Sequence, residues 1–153
     1  MRQLGIAALL VACQGDKVAV EAAEEDTAAP AGEPGRLAWS PGVLQFTELE
    51  PGVTGSAEAI IENTGTGALL VELLAIGDSA SGTFYMQESE DVELLPGESM
   101  DALVTATLAG EGYQHGALRI RSDDPEGGDV RVPLCAYSAG NAEEAACGEL
   151  AGD

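Results

Sequence analysis

Apolar and polar residues alternate with a period of two along residues 116–122, where Leu118 and Ile120 lie opposite Arg119. The next stretch, residues 130–135, alternates in the same way after an acidic turn that contains proline and glycine. Successive side chains of a β-strand point to opposite faces, so this pattern predicts two half-buried antiparallel strands joined by a turn.

The chain before this pair shows the same periodicity in shorter segments. Residues 43–46 predict a first strand and residues 57–62 a second, which ends at an Asn-Thr-Gly turn. Residues 69–76 predict a third strand in which the apolar positions change parity. A β-bulge near Glu72 and Leu73 accounts for that change.

Three more segments complete the predicted domain. Residues 84–86 and 92–94 indicate short strands, and residues 100–107 alternate again after a Leu-Pro-Gly turn. No helical periodicity is present, and glycine or proline turns separate the segments. We therefore expect residues 36–137 to form an all-β, antiparallel, immunoglobulin-like sandwich of about seven strands.

The N-terminus has the pattern of an export signal. One arginine precedes the apolar run of residues 4–11, which is shorter than the stretch of about 20 residues that spans a bilayer. The run closes with Leu-Val-Ala-Cys at residues 10–13, which resembles the bacterial lipobox. By that resemblance, residues 1–12 are a lipoprotein signal peptide, and Cys13 is acylated and becomes the mature N-terminus.

Two alternatives remain for this segment: an ordinary signal peptide, or a start codon placed inside a longer leader. The residue directly after the cysteine is Gln14 and not aspartate. By resemblance to Gram-negative lipoproteins, this residue implies the outer membrane. Residues 13–35 are rich in Ala, Glu and Pro, which predicts a disordered acidic linker holding the domain a few tens of ångströms from the lipid.

Composition narrows the classes of function. The chain has 27 acidic and 6 basic residues among 153, a formal net charge of -21. Such a balance repels nucleic acid and anionic headgroups, so no nucleic-acid partner is expected. A solvated surface that keeps the protein soluble is the simpler interpretation of the acidity, and a cationic partner or a bound metal is the alternative. Aromatic residues are only 4%, so the core must be filled by aliphatic side chains.

A family resemblance follows from the order of these motifs. The Asn-Thr-Gly turn at residues 63–65, the Leu-Pro-Gly turn at 95–97, the strand at 116–122 with Asp-Pro after it, and Val-Pro-Leu at 132–134 resemble the ASH/hydin-type repeat. That family is related in shape to the major sperm protein domain and is common in bacterial surface proteins of the choice-of-anchor D type. The resemblance implies an Ig-like sandwich. Cys135 departs from the family, which usually has glycine there.

The cysteines are Cys13, Cys135 and Cys147. With Cys13 lipidated in an oxidising envelope, we expect Cys135 and Cys147 to form a disulfide that pins the tail, residues 138–153. Alternation places Cys135 on the outer face of its strand, where a tail folding back would reach it. The alternative is two free thiols. Two cysteines and one distant histidine are too few ligands for zinc.

Other candidate chemistry is sparse. His115 has no nucleophile motif around it, which favours a surface or edge histidine over a general base. Trp39 is either a binding platform or a residue packed on the sandwich end. The acidic loop offers carboxylates for Ca²⁺ but lacks the EF-hand spacing; its candidate ligands are Asp123, Asp124, Glu126 and Asp129.

These features predict a non-enzymatic envelope lipoprotein that needs no cofactor and displays one Ig-like protein-interaction or structural module, with an envelope or surface protein as its expected partner. A lipoprotein that binds Ca²⁺ or another ligand through the acidic loop is the alternative hypothesis. Fold-level resemblance alone does not decide between them, because Ig-like sandwiches serve many functions.

Overall fold

A computed structural model describes residues 32–77 and 82–149. The predicted signal peptide, Cys13 and the linker up to residue 31 lie outside the described residues. So do residues 78–81, in the loop after the third predicted strand, and residues 150–153 at the end of the tail.

The described chain forms nine β-strands and one short helix. They are β1 (Leu37–Ser40), β2 (Leu44–Phe46), β3 (Thr54–Asn63), β4 (Leu69–Gly77), β5 (Phe84–Tyr85), β6 (Val92–Leu94), β7 (Ser99–Thr107), β8 (Tyr113–Ser122), β9 (Asp129–Tyr137) and α1 (Ala142–Ala145).

Two sheets form a sandwich, which confirms the predicted all-β fold. One sheet has the order β1-β3-β7-β5, and the other has the order β2-β9-β8-β4-β6. Neighbouring strands are antiparallel except β2, which runs parallel to β9 with Leu44 opposite Leu134. The chain passes from one sheet to the other at residues 41–43, and the β2–β9 pair is an exception to the expected antiparallel pairing.

The core lies between the sheets and is aliphatic, as the composition requires. Period-two alternation directs one face of each long strand inward, which is why these residues are buried together: Ala59, Ile61, Leu69, Val71, Val104, Leu118, Ile120, Val132 and Leu134. Phe46 and Phe84 add one aromatic pair with ring centroids 5.7 Å apart. The predicted bulge is present, because the β4–β8 register shifts between Val71 and Leu73.

The structure differs from the expectation at the start of the domain. β1 was not predicted, because its half-exposed residues do not alternate clearly. The ordered contacts also begin before residue 36: Thr66 Oγ1 donates to Glu33 Oε2 at 3.2 Å. A Cβ on Gly35 would lie 2.7 Å from the Cβ of Leu69, so this position needs glycine to pass so close to β4. Within residues 32–77 and 82–149, no helix is long and apolar enough to cross a membrane.

Candidate interaction surfaces

Asp124, a candidate calcium ligand, is used by the fold to close one end of the sandwich. Its Oδ2 accepts from the Leu37 N–H and its Oδ1 from the Glu126 N–H, both at 2.8 Å. Bonds from the Glu126 and Leu37 main-chain N–H groups hold the pKa of Asp124 below its usual value, because they stabilise the charged form. The carboxylate therefore joins the acidic loop to the start of β1.

The other three carboxylates of this loop also have protein partners. Asp123 Oδ1 accepts from the Leu70 N–H at 2.8 Å. Glu126 forms a two-pronged ion pair with the Arg36 guanidinium, and its hydrogen bond from Arg36 lowers the pKa of Glu126. Asp129 Oδ2 lies 3.9 Å from Arg119 Nη2.

The four candidate ligands are thus arranged around separate donors. Among the residues that the structure describes, no group of three His, Cys, Asp or Glu side chains is placed to hold a metal ion. Calcium binding by Asp123, Asp124, Glu126 and Asp129 remains a prediction that needs these contacts to rearrange.

Asn63, at the same end of the sandwich, is a structural residue that the sequence indicated only as part of a turn. It is fully buried. Its Oδ1 accepts from the N–H groups of Arg36 (3.1 Å) and Gly65 (2.9 Å). Its Nδ2 donates to the carbonyls of Gly67 (2.7 Å) and Leu94 (2.9 Å). All four hydrogen-bonding positions of the amide are used.

The structure has the Cys135–Cys147 disulfide that the sequence predicts, with the two Cα atoms 5.7 Å apart. Both residues are buried on the outer face of the five-stranded sheet, in a small cluster with Ala145 and Tyr137 that is separate from the main core. The tail therefore folds back over β9 and covers Cys135.

His115 takes part in the same contact. It lies within β8, directly opposite Cys135. One ring nitrogen, Nε2, is 2.7 Å from the carbonyl oxygen of Ala145 in α1. The histidine is half-buried beneath the tail, and its contact with a main-chain carbonyl is structural.

Among the described strands, exposed large apolar side chains are most frequent on the outer face of the four-stranded sheet. Ile60, Leu103 and Tyr85 are 47%, 57% and 71% exposed. Ile60 lies opposite Asp101, Leu103 opposite Glu58 and Tyr85 opposite Thr105, so the three apolar residues are diagonal neighbours across β3, β7 and β5. We call these three residues the apolar stripe.

In the sequence, Ile60 and Leu103 are apolar residues at strand positions that the period-two alternation directs towards solvent. Ile60 stands between Glu58 and Glu62, and Leu103 follows Asp101. The sequence did not show that the two positions meet. Trp39 is 39% exposed on β1 at the edge of this sheet, opposite Ile61.

Three of the four described basic residues are on the five-stranded sheet, and the fourth, Arg36, immediately precedes β1 and pairs with Glu126. Arg2 and Lys17 lie outside the described residues. Strands β1, β3, β5 and β7 contain no Lys or Arg. Arg119, Arg121 and Arg131 are all on β8 and β9, where Arg121 pairs with Glu72 at 3.0 Å. The described domain therefore has an acidic, partly apolar face and an opposite face that contains arginine.

Comparison with known proteins supports the fold. No family model and no curated protein matches the sequence. A Porphyromonas gingivalis W83 protein of unknown function has a similar structure, with TM-score 0.56 and 19% identity over 74% of this chain and 51% of that one. This chain therefore spans about half of that protein.

Two further solved structures are similar. The ASH/PapD-like domain 7 of human CEP192 gives a TM-score of 0.52 and 13% identity over 90% of this chain and 97% of that one. The CsuC–CsuE chaperone–tip adhesion subunit complex of Acinetobacter baumannii pili gives 0.50 and 15% over 72% and 62%. At these identities the similarity supports an Ig-like β-sandwich fold, and only that.

Proposed function

We propose that this chain is a non-enzymatic, lipid-anchored envelope protein whose Ig-like module binds another protein. The apolar stripe is the observation on which the binding role depends. Its three side chains are about half exposed or more. The strong negative charge of the chain favours a solvated surface, so exposed apolar side chains are unexpected there unless a partner covers them. Exposed apolar residues with polar neighbours are typical of protein-binding surfaces.

The described groups that could do chemistry support a binding role. His115 contacts a main-chain carbonyl of the tail, and both described cysteines form the disulfide. Asp124 is held by two main-chain N–H groups. No pair among these groups has the base-to-nucleophile contact that covalent catalysis needs.

The anchor is proposed from the sequence. The Leu-Val-Ala-Cys segment ending at Cys13 places an acylation site directly after the apolar run, and two or three acyl chains hold a protein firmly on a membrane. The linker at residues 13–35 would then separate lipid and domain by roughly 25 Å, if it behaves as a flexible chain. We propose the outer membrane of a Gram-negative bacterium as the location.

Two measurements on the full chain test this proposal. The intact mass after membrane extraction is expected to begin at Cys13 with acyl chains, and Cys13→Ser should remain unacylated. Site-specific photo-crosslinkers are placed at Ile60 and Tyr85 on the stripe and at Glu93 on β6 as a control.

A discrete protein adduct from the stripe positions, absent at Glu93, is the expected result. Failure to crosslink any protein from any of the three positions in intact cells would refute the binding role. An unacylated wild-type mass beginning at Met1 would refute the anchor and the location.

A further inference from the structure

Strand β7 has an incomplete partner on one side. β5 pairs with it only through Phe84↔Ala106 and Tyr85↔Thr105. After Tyr85 the chain leaves for the other sheet, where Ser89 and Leu74 exchange main-chain hydrogen bonds of 2.8 and 3.1 Å. The ladder beside β7 therefore ends halfway along the strand.

Hydrogen-bond directions show which main-chain groups are left at this edge. The Thr107 N–H donates to Thr83 O at 2.9 Å, towards β5, and Glu98 O accepts from Asn63 N, towards β3. Main-chain groups alternate sides along a strand, so those of Asp101 and Leu103 also point away from β3. Within the described residues, no hydrogen bond reaches them from that side.

A groove runs along the same edge. It is about 270 Å³ in volume and is lined by Tyr85, Met86, Gln87, Ala102, Leu103 and Thr105. The groove contains two members of the apolar stripe beside the open main-chain groups. An extended segment lying here would find hydrogen-bond partners and an apolar contact together, as in strand addition to a sheet edge.

Charge identifies the kind of segment. Glu58, Glu62 and Asp101 face outward on β3 and β7, and the four strands of this sheet contain no Lys or Arg. A second copy of the chain, at net charge -21, would be repelled, and so would the acidic linker at residues 13–35. A cationic strand is complementary in charge.

We propose that the edge of β7 at Asp101 and Leu103 binds an extended cationic segment of a partner protein as an additional strand. A Lys or Arg of the segment lies opposite Asp101, a small residue opposite Ala102, and a large apolar residue opposite Leu103, beside Tyr85. This inference rests on the proposed function, because it specifies the partner of the same module.

The test uses the full chain and a labelled peptide, Lys-Thr-Val-Thr-Lys-Thr-Val-Thr-Lys, which has the same sequence in either direction. Affinity is measured by fluorescence anisotropy, and binding position by hydrogen exchange of the Leu103 amide. Two control peptides are used. One has Glu in place of each Lys, and the other has methyl groups on the main-chain nitrogens that would join the ladder. Both controls should fail to bind, and the lysine peptide should protect the Leu103 amide.

Matched variants separate a specific edge from general charge attraction. Asp101→Lys should weaken binding about tenfold, whereas Glu93→Lys on the other sheet, with the same change in net charge, should change it less than about twofold. Leu103→Pro removes the main-chain N–H of residue 103, which points away from β3, so no hydrogen bond to β3 is lost. This substitution should abolish binding of the lysine peptide. If Leu103→Pro does not fold, Asp101→Lys and the methylated peptide still test whether binding is specific to the edge of β7.

Equal weakening by Asp101→Lys and Glu93→Lys, or an unprotected Leu103 amide, would overturn the proposal. So would failure of the folded wild type to bind the lysine peptide. In those cases a partner crosslink from Ile60 or Tyr85 in cells would leave the binding role of the module intact. Loss of all crosslinks would instead remove the binding role itself.

Discussion

Replacing Asn63 by alanine should destabilise the domain more than any other single polar substitution that we consider. The amide joins four segments: the start of β1, the turn after β3, the start of β4 and the end of β6. Its partners are the main-chain groups of Arg36, Gly65, Gly67 and Leu94. Alanine leaves all four without this partner.

The magnitude follows from the burial of those partners. Three of the bonds are partly buried, and each contributes about 1 kcal/mol because water can replace part of the lost partner. The Leu94 carbonyl is buried, and leaving it unsatisfied costs about 2 kcal/mol. Water entering the space offsets some of this cost, so we expect the free energy of unfolding to fall by about 4 kcal/mol.

Urea denaturation followed by far-UV circular dichroism measures the loss. Asn141→Ala is the matched control, because the Asn141 side chain donates to nearby Ser138 and Ala139 of the tail, and its loss should cost less than about 1 kcal/mol. Equal losses for the two variants would show that the Asn63 network contributes no more than a surface bond.

Asn63→Asp adds a pH-dependent test of the same network. The new carboxyl keeps two acceptors but, when ionised, has no donor for the Gly67 and Leu94 carbonyls. Burial and these carbonyls should raise its folded pKa above the unfolded value of about 4. The variant should therefore be least destabilised below that pH and lose stability as pH rises through the folded pKa. A pH-independent loss would contradict this account.

Three further predictions concern the disulfide and the acidic loop. Cys135→Ser with Cys147→Ser should lower the free energy of unfolding by about 3 kcal/mol on the chain-entropy model for this short loop, measured by urea denaturation; an unchanged midpoint would contradict it. Asp124→Asn should cost about 1 kcal/mol at pH 7, because one oxygen no longer accepts from Leu37 or Glu126. The folded pKa of Asp124 is lowered, so this difference should be complete above about pH 4 and disappear as pH falls through the folded value; a constant difference would refute the assignment. Millimolar Ca²⁺ should leave the melting temperature unchanged, since the loop carboxylates already have donors, and a rise that Asp→Asn changes abolish would support the calcium hypothesis instead.

Local sequence predicted the faces of the strands well. The inward set of β8, Leu118 and Ile120, and the bulge before Leu73 followed from period-two alternation and its change of parity. The outward direction of Cys135 was predicted in the same way. These are properties of a strand's own residues, because the direction of a side chain is set by its position in the pleat.

The neighbours of each strand depended on the whole sandwich. No local pattern showed that β2 would pair in parallel with β9, or that β5 would stop after Tyr85 and leave the Leu103 edge open. Asn63 looked like an ordinary turn residue, yet it bonds to Arg36 and Leu94, which are 27 and 31 residues away along the chain.

The sequence alone therefore determined the class of fold, the inner and outer residues, and the acidic character of the surface. Only the tertiary structure decided which outer residues meet, which edge remains open, and which carboxylates are used to close the end of the sandwich. The physical reason is that alternation acts between adjacent residues, whereas strand pairing and buried hydrogen bonds join segments that become neighbours only when the two sheets pack.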